Sequence, residues 1–158
     1  MFDEMHEICG QMVLKWSRLG PKEEINITDD FTRLALDSIA LCAMDARFNS
    51  FYHDNMHPFV EAMVDFLAES GFRSNRPPLA QFFLKDTNRK YEANIQRMKG
   101  IAQDVIAQRR MNPSNKRDLL SAMLQGRDPK TGEAMSDESI INNMVTFLIA
   151  GMHHIPLS

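Results

Sequence analysis

The chain has 158 residues, 44% of them apolar and 25% charged, enough for one domain with a real hydrophobic core and unlike a disordered tail. A formal charge of −3 gives no basic excess, which argues against nucleic-acid binding as the main task. No apolar run approaches the ~20 residues of a membrane span, and the opening MFDEMHEICG has neither the basic nor the long apolar region of a signal peptide. The two cysteines, Cys9 and Cys42, are too few for a disulfide framework and read as reduced thiols in a cytoplasmic setting.

In chain order, apolar steps of three and four residues predict a first helix over residues 2–19, through Met5, Ile8, Cys9, Met12 and Trp16. Gly20-Pro21 stops it. In KEEINIT, Ile25 and Ile27 alternate with polar residues and suggest a short extended piece. Thr28 and Asp29 are candidate caps for a second helix, with Asp30 favouring the positive end of its dipole. Phe31, Leu34, Ala35, Ser38 and Cys42 form one stripe of that helix, and Leu36, Ile39, Ala40 and Ala43 a second. Apolar residues all round imply a helix buried on most sides.

FNSFYHDNMHPF reads as a loop, with His57 opening a third helix and Pro58 at its first position. Phe59, Met63, Phe66 and Leu67 share a face of this helix, and Gly71 is its expected stop. RSNRPPLAQFF follows, broken by Pro77-Pro78 and carrying Leu79, Phe82 and Phe83. A fourth, long helix is expected over residues 87–111, with Tyr91, Ile95, Met98, Ala102 and Val105 toward the core. Lys90, Arg97, Lys99, Arg109 and Arg110 read as its solvated faces. DLLSAMLQG gives a short helix from an Asp118 cap to a Gly126 stop, and RDPKTGEAM a turn. Ser136 caps the last helix, Asp137 and Glu138 fill its positive first turn, and Met135 and Ile140 suit a hydrophobic staple. The fold class is therefore all-α.

No Ser-His-Asp arrangement, P-loop or Gly-x-Gly-x-x-Gly occurs. His153 and His154 are adjacent, so they point about 100° apart on a helix and do not converge on a metal. His6 and Cys9 lie three apart, but no further pair completes a four-ligand site. No metal site is assigned.

The stretches DFTRLALDSIALCAMDARFNSFY, HPFVEAMVDFL, DLLSAMLQGRDPKTGEAMSDESI and TFLIAG, taken in order, resemble the haem-thiolate monooxygenases, the cytochrome P450 family. The resemblance is strongest to the self-sufficient fatty-acid hydroxylases of bacteria and fungi, which are fused to a diflavin reductase. It implies a partial fold covering helices D to early I without the haem-ligand core. Residues 1–151 would form the domain portion and residues 152–158 a divergent tail. It further implies haem as cofactor, FAD and FMN only through a reductase partner, and an apolar, fatty-acid-like substrate. Met63, Leu67, Ser70 and Phe147 would line the substrate pocket, and Ala150 and Gly151 would lie by the haem and its oxygen groove.

The family's catalytic acid and alcohol have no counterpart, since His153 and His154 stand at the positions of the acid and the first Thr. Neither cysteine sits in the Phe-x-x-Gly-x-Arg-x-Cys-x-Gly pattern that supplies the thiolate, and no Glu-x-x-Arg motif follows. The expectation is an incomplete monooxygenase, inactive by itself. The rival is a non-catalytic helical binding or interaction protein derived from one. An unrelated helical metal-binding or regulatory domain is the third reading.

Overall fold

The computed structural model describes residues 1–20, 22–77 and 84–152. Six α-helices account for most of them: α1 (Phe2–Arg18), α2 (Ile27–Met44), α3 (Pro58–Ser74), α4 (Lys85–Met111), α5 (Leu119–Gln125) and α6 (Asp137–Met152). A 3-10 turn, Ser50–Tyr52, lies in the α2–α3 connection. The all-α expectation holds: among the described residues the sole β pairing is an isolated bridge between Arg127 and Ala134, which closes the RDPKTGEAM turn. Gly132 takes a positive φ of 74° there, a conformation that suits glycine.

The apolar patterns place the layers. α2 and α4 each pack on α6, around Leu36, Ala40, Met98, Ala102, Met144 and Leu148, all close to fully buried. α3 lies on α4 with Phe59 and Met63 buried, α1 covers α2 through Ile8 and Met12, and α5 adds Leu120 and Met123 between α2 and α6. From Thr28 to Met44 only Phe31 is exposed, as an all-round apolar helix requires.

Four local expectations are corrected. Residues 25–27 form no strand: Ile27 is the first residue of α2, and Ile25 and Ile27 are exposed. The cap is Asn26, whose Oδ1 accepts the Asp29 amide at 3.1 Å, so Thr28 and Asp29 fall inside the first turn. Gly71 does not end α3. The helix runs on to Ser74, where Asn75 caps it and Glu69 receives Arg73 at 3.1 Å and Arg76 at 2.8 Å. Arg109 does not belong to a solvated face. It continues the buried line Met98, Ala102, Val105 at helical spacing and is 9% exposed. The expected caps Asp118 and Ser136 are observed, each accepting an amide three residues on, Ser121 at 2.8 Å and Ser139 at 3.2 Å. Leu79, Phe82 and Phe83 lie outside the described residues.

Arg109 is the polar centre of the α2–α4–α5 junction. It makes a two-pronged pair with Asp118 at 2.6 and 3.1 Å, and donates to the Ser121 hydroxyl at 2.7 Å and the Met44 carbonyl at 3.0 Å. Burial works to raise the Asp118 carboxyl, but the hydrogen bonds from Arg109 and Ser121 outweigh it and hold the group below its usual value. Asp118→Asn keeps an acceptor for the α5 cap but leaves the guanidinium buried without its counter-charge. It is expected to lower unfolding free energy in urea by about 3–5 kcal/mol. Asp137→Ala, which breaks the exposed pair with Arg110, should leave the denaturation midpoint nearly unchanged.

Candidate functional site

α6 divides into two faces by its own periodicity. Ile140, Met144, Leu148 and Met152, four apart, are buried against α2 and α4. Phe147, 39% exposed, stands at the edge of that face, and Ala150, also exposed, lies on the opposite one. Gly151 serves a close approach: a Cβ there would run into Cδ1 of Ile39 on α2. Its lack of a side chain is thus what lets the end of α6 lie on α2.

On α3, Met63 is 2% exposed and Leu67 packs against the same core. The Ser70 hydroxyl lies 3.3 Å from the Tyr91 hydroxyl of α4. Phe66 stacks on the Tyr91 ring at 5.1 Å, and the Arg73 guanidinium covers that ring at 3.7 Å. The α3 residues singled out in the sequence therefore meet α4, while Phe147 and Ala150 sit on the open side of α6. His153 and His154 lie outside the described residues.

Two cavities are prominent. A groove of about 810 Å³ is lined chiefly by Met5, Ala35, Ile39, Ala43, Leu119 and Gly151, with Cys42 in its wall and Lys116 at its rim. Lys116 pairs with Glu4 and, at 3.1 Å, with Asp45, and its ammonium beside Glu4 holds that carboxyl down at about 2. A second cavity of about 760 Å³ lies at the start of α3, between His53, His57, Glu61 and Arg97.

Among the described residues the donors do not match an iron-ligating set. An axial thiolate needs surroundings that favour the deprotonated form. Cys42 is buried on α2, its Sγ 3.8 Å from the Met1 carbonyl, and burial together with nearby Glu4 pushes the thiol up. The buried guanidinium groups are engaged elsewhere, Arg109 on Asp118 and Arg33, through Nη1 and Nη2, on backbone carbonyls. Among the described residues no three His, Cys, Asp or Glu side chains cluster as a metal site.

The family described as "Cytochrome P450" matches residues 1–154. The chain belongs to the cytochrome P450 family. It is 56% identical over 151 residues to a bifunctional cytochrome P450/NADPH--P450 reductase of Aspergillus oryzae, covering 96% of this chain and 14% of that protein. It is 54% identical over 158 residues to a self-sufficient cytochrome P450 monooxygenase of Phanerodontia chrysosporium, covering 100% of this chain and 15% of the relative. A bifunctional cytochrome P450/NADPH--P450 reductase of Fusarium oxysporum is 55% identical over 152 residues, again 96% of this chain and 14% of the relative. The chain thus spans about a seventh of the length of these relatives. No helix among the described residues is long and apolar enough to cross a membrane.

The apolar stripes of α2 do not single out Asp30, Arg33 and Asp37, which are buried. The signal was available in their spacing of three and four along α2, which places them on one side of the helix.

Two tests follow from this geometry. Gly151→Ala should destabilise the chain by about 1–3 kcal/mol through overpacking. Ile39→Val removes the one methyl that a Cβ at 151 meets, so the double variant should recover much of the loss in a urea denaturation cycle. The Cys42 thiol should react slowly with a neutral-pH thiol reagent in the native chain and at an ordinary rate once urea unfolds it. A fast native reaction at Cys42 would contradict the burial described.

Proposed function

We propose that these residues are the helix D to early helix I portion of a cytoplasmic, self-sufficient cytochrome P450 monooxygenase. The intact polypeptide would hydroxylate fatty acids or similar apolar chains with O2, its electrons coming from NADPH through the FAD and FMN of a fused reductase. The observation that carries this reading is 54–56% identity along essentially the whole chain to proteins named as a bifunctional cytochrome P450/NADPH--P450 reductase and a self-sufficient cytochrome P450 monooxygenase. On this reading residues 1–151 are the domain portion, and residues 152–158 a tail that departs from the family pattern at His153 and His154.

Haem, when bound in the intact enzyme, would supply oxygen activation. This chain would contribute shape and orientation. Phe147 and Ala150 would present the exposed side of α6 to the haem and the substrate chain, and Gly151 would lie near the oxygen groove. Met63, Leu67 and Ser70 would form the substrate roof, their placement set by the packing of α3 on α4. An apolar lining suits a substrate whose reacting carbon has no polar handle. The iron thiolate would come from residues other than Cys9 and Cys42.

A second reading applies to a polypeptide made of these 158 residues alone: a non-catalytic helical binding or interaction protein. The poor match of Cys42 to an iron ligand favours it. One pair of experiments addresses both readings. The purified chain, given haem, dithionite and carbon monoxide, should show no red-shifted thiolate-type Soret band. Residues 1–151 grafted in place of the matching segment of the Aspergillus oryzae fusion should retain NADPH-dependent fatty-acid hydroxylation. Phe147→Ala in that chimaera should change the distribution of hydroxylated positions. A thiolate-type band from the chain alone, or a folded, haem-loaded chimaera with no turnover on any fatty acid, would sink the primary reading.

A further inference from the structure

The start of α3 is held by a group that the monooxygenase reading does not use. The Nδ1 of His57 accepts the Phe59 amide at 3.2 Å, and the His57 carbonyl accepts the Val60 amide at 2.9 Å. The ring stacks on Phe48 with centroids 4.3 Å apart. Asn, Asp, Ser and Thr usually fill such a capping position, and each offers an oxygen acceptor near neutral pH. An imidazole accepts only while neutral; its protonated form has donors at both nitrogens.

The surroundings are arranged against a charge on this ring. The cavity beside it is lined by His53 and Asp54 from the connection, Glu61 from α3 and Arg97 from α4. Glu61 and Arg97 pair with each other at 3.4 Å, both about half exposed. From α2, Arg33 donates to the carbonyls of His53 at 2.7 Å and Asp54 at 2.8 Å, placing a buried guanidinium under the same connection. Asp29 lies 3.7 Å from that guanidinium, and Asp37 takes the Ser50 amide at 2.8 Å and the Ser50 hydroxyl at 2.6 Å. A cation at His57 would also sit at the positive end of the α3 dipole.

We propose that His57 is a proton-operated latch on α3. Neutral, it caps the helix and ties its first turn to the α2–α3 connection. Protonated, it turns an N–H toward the Phe59 amide and releases that turn. Burial first, and then the charges of His53 and Arg97, hold its imidazole at about 4 instead of 6.5. The sign follows for a base with a depressed native pKa. As pH falls the unfolded chain takes the proton first, so the cap's contribution drains away from about 6.5 down through about 4. The latch is therefore shut near neutral pH and opens in acid. It stands whether or not the monooxygenase reading holds; if that reading holds, opening loosens the helix that carries Met63, Leu67 and Ser70.

The test is amide hydrogen exchange by NMR on the full 158-residue chain between about pH 7 and about pH 3, which spans the titration of His57, with Val105 of α4 as internal reference. After correction for intrinsic exchange, Phe59 should lose roughly five- to tenfold protection relative to Val105, the equilibrium equivalent of one lost cap. His57→Asn places an acceptor oxygen where Nδ1 lies and does not titrate, so its Phe59 to Val105 ratio should stay flat. The imidazole resonances of His57 should report proton uptake over the same interval as the loss. A wild-type ratio that holds constant while His57 takes up its proton would overturn the proposal. So would an equal fall in the Asn variant, or Phe59 and Val105 losing protection together in one global unfolding.

Discussion

A buried charge must be met by a partner, and α2 carries three of them. Asp30, Arg33 and Asp37 are each no more than 2% exposed. Asp30 is met from α1, and Arg33 and Asp37 from the α2–α3 connection, with only the Arg33 Nε left without a hydrogen bond among the three. Asp30 receives Lys15 and, at 2.6 Å, the indole N–H of Trp16, which pins α1 across α2. Arg33 and Asp37 reach forward to residues 50–54 and hold the 3-10 turn against the helix. At the C-terminal end the Met44 carbonyl accepts from Arg109 and Asp45 faces Lys116, which brings in α4 and α5. Apolar contact alone would let these helices slide, because burial is non-directional. The polar groups fix where each lies along α2.

This division of labour explains which parts were legible in the sequence. Helix positions followed from periodicity and punctuation: Pro58 at the front of α3, Asp118 and Gly126 around α5, Ser136 before α6. The misreadings share one cause, since local composition was allowed to stand for tertiary partners. Arg109 looked solvated because six other cations lie on the same helix, yet only its position falls in line with Met98, Ala102 and Val105. Asp30 looked like a dipole residue because it falls in a first turn, while its partners lie 14 and 15 residues upstream. Gly71 looked like a stop, but α3 continues because Glu69, Arg73 and Arg76 make ion pairs across the turn that contains it.

The site was legible in a different sense. The resemblance supplied Met63, Leu67, Ser70, Phe147, Ala150 and Gly151 as a set, whereas the structure assigns them different physical tasks. Met63 belongs to the packed core, Ser70 to a polar contact with Tyr91, and Gly151 to a backbone approach on Ile39. Periodicity cannot separate these tasks, because all six positions are apolar or small on helices. Only the partner across the interface distinguishes them.

That separation bears on how α6 could present a working face. Its buried residues recur every fourth position and fill the space between α2 and α4, so rotation about the helix axis would drive Phe147 inward and lift Met144 or Leu148 out. The lack of a side chain at Gly151 lets Ile39 come close enough to hold the end of the helix down. The direction in which Phe147 and Ala150 point is therefore decided by the packing of the buried residues of α6 against α2 and α4. A change at Ile39 or Gly151 would reach the exposed side through a small rotation or tilt of α6.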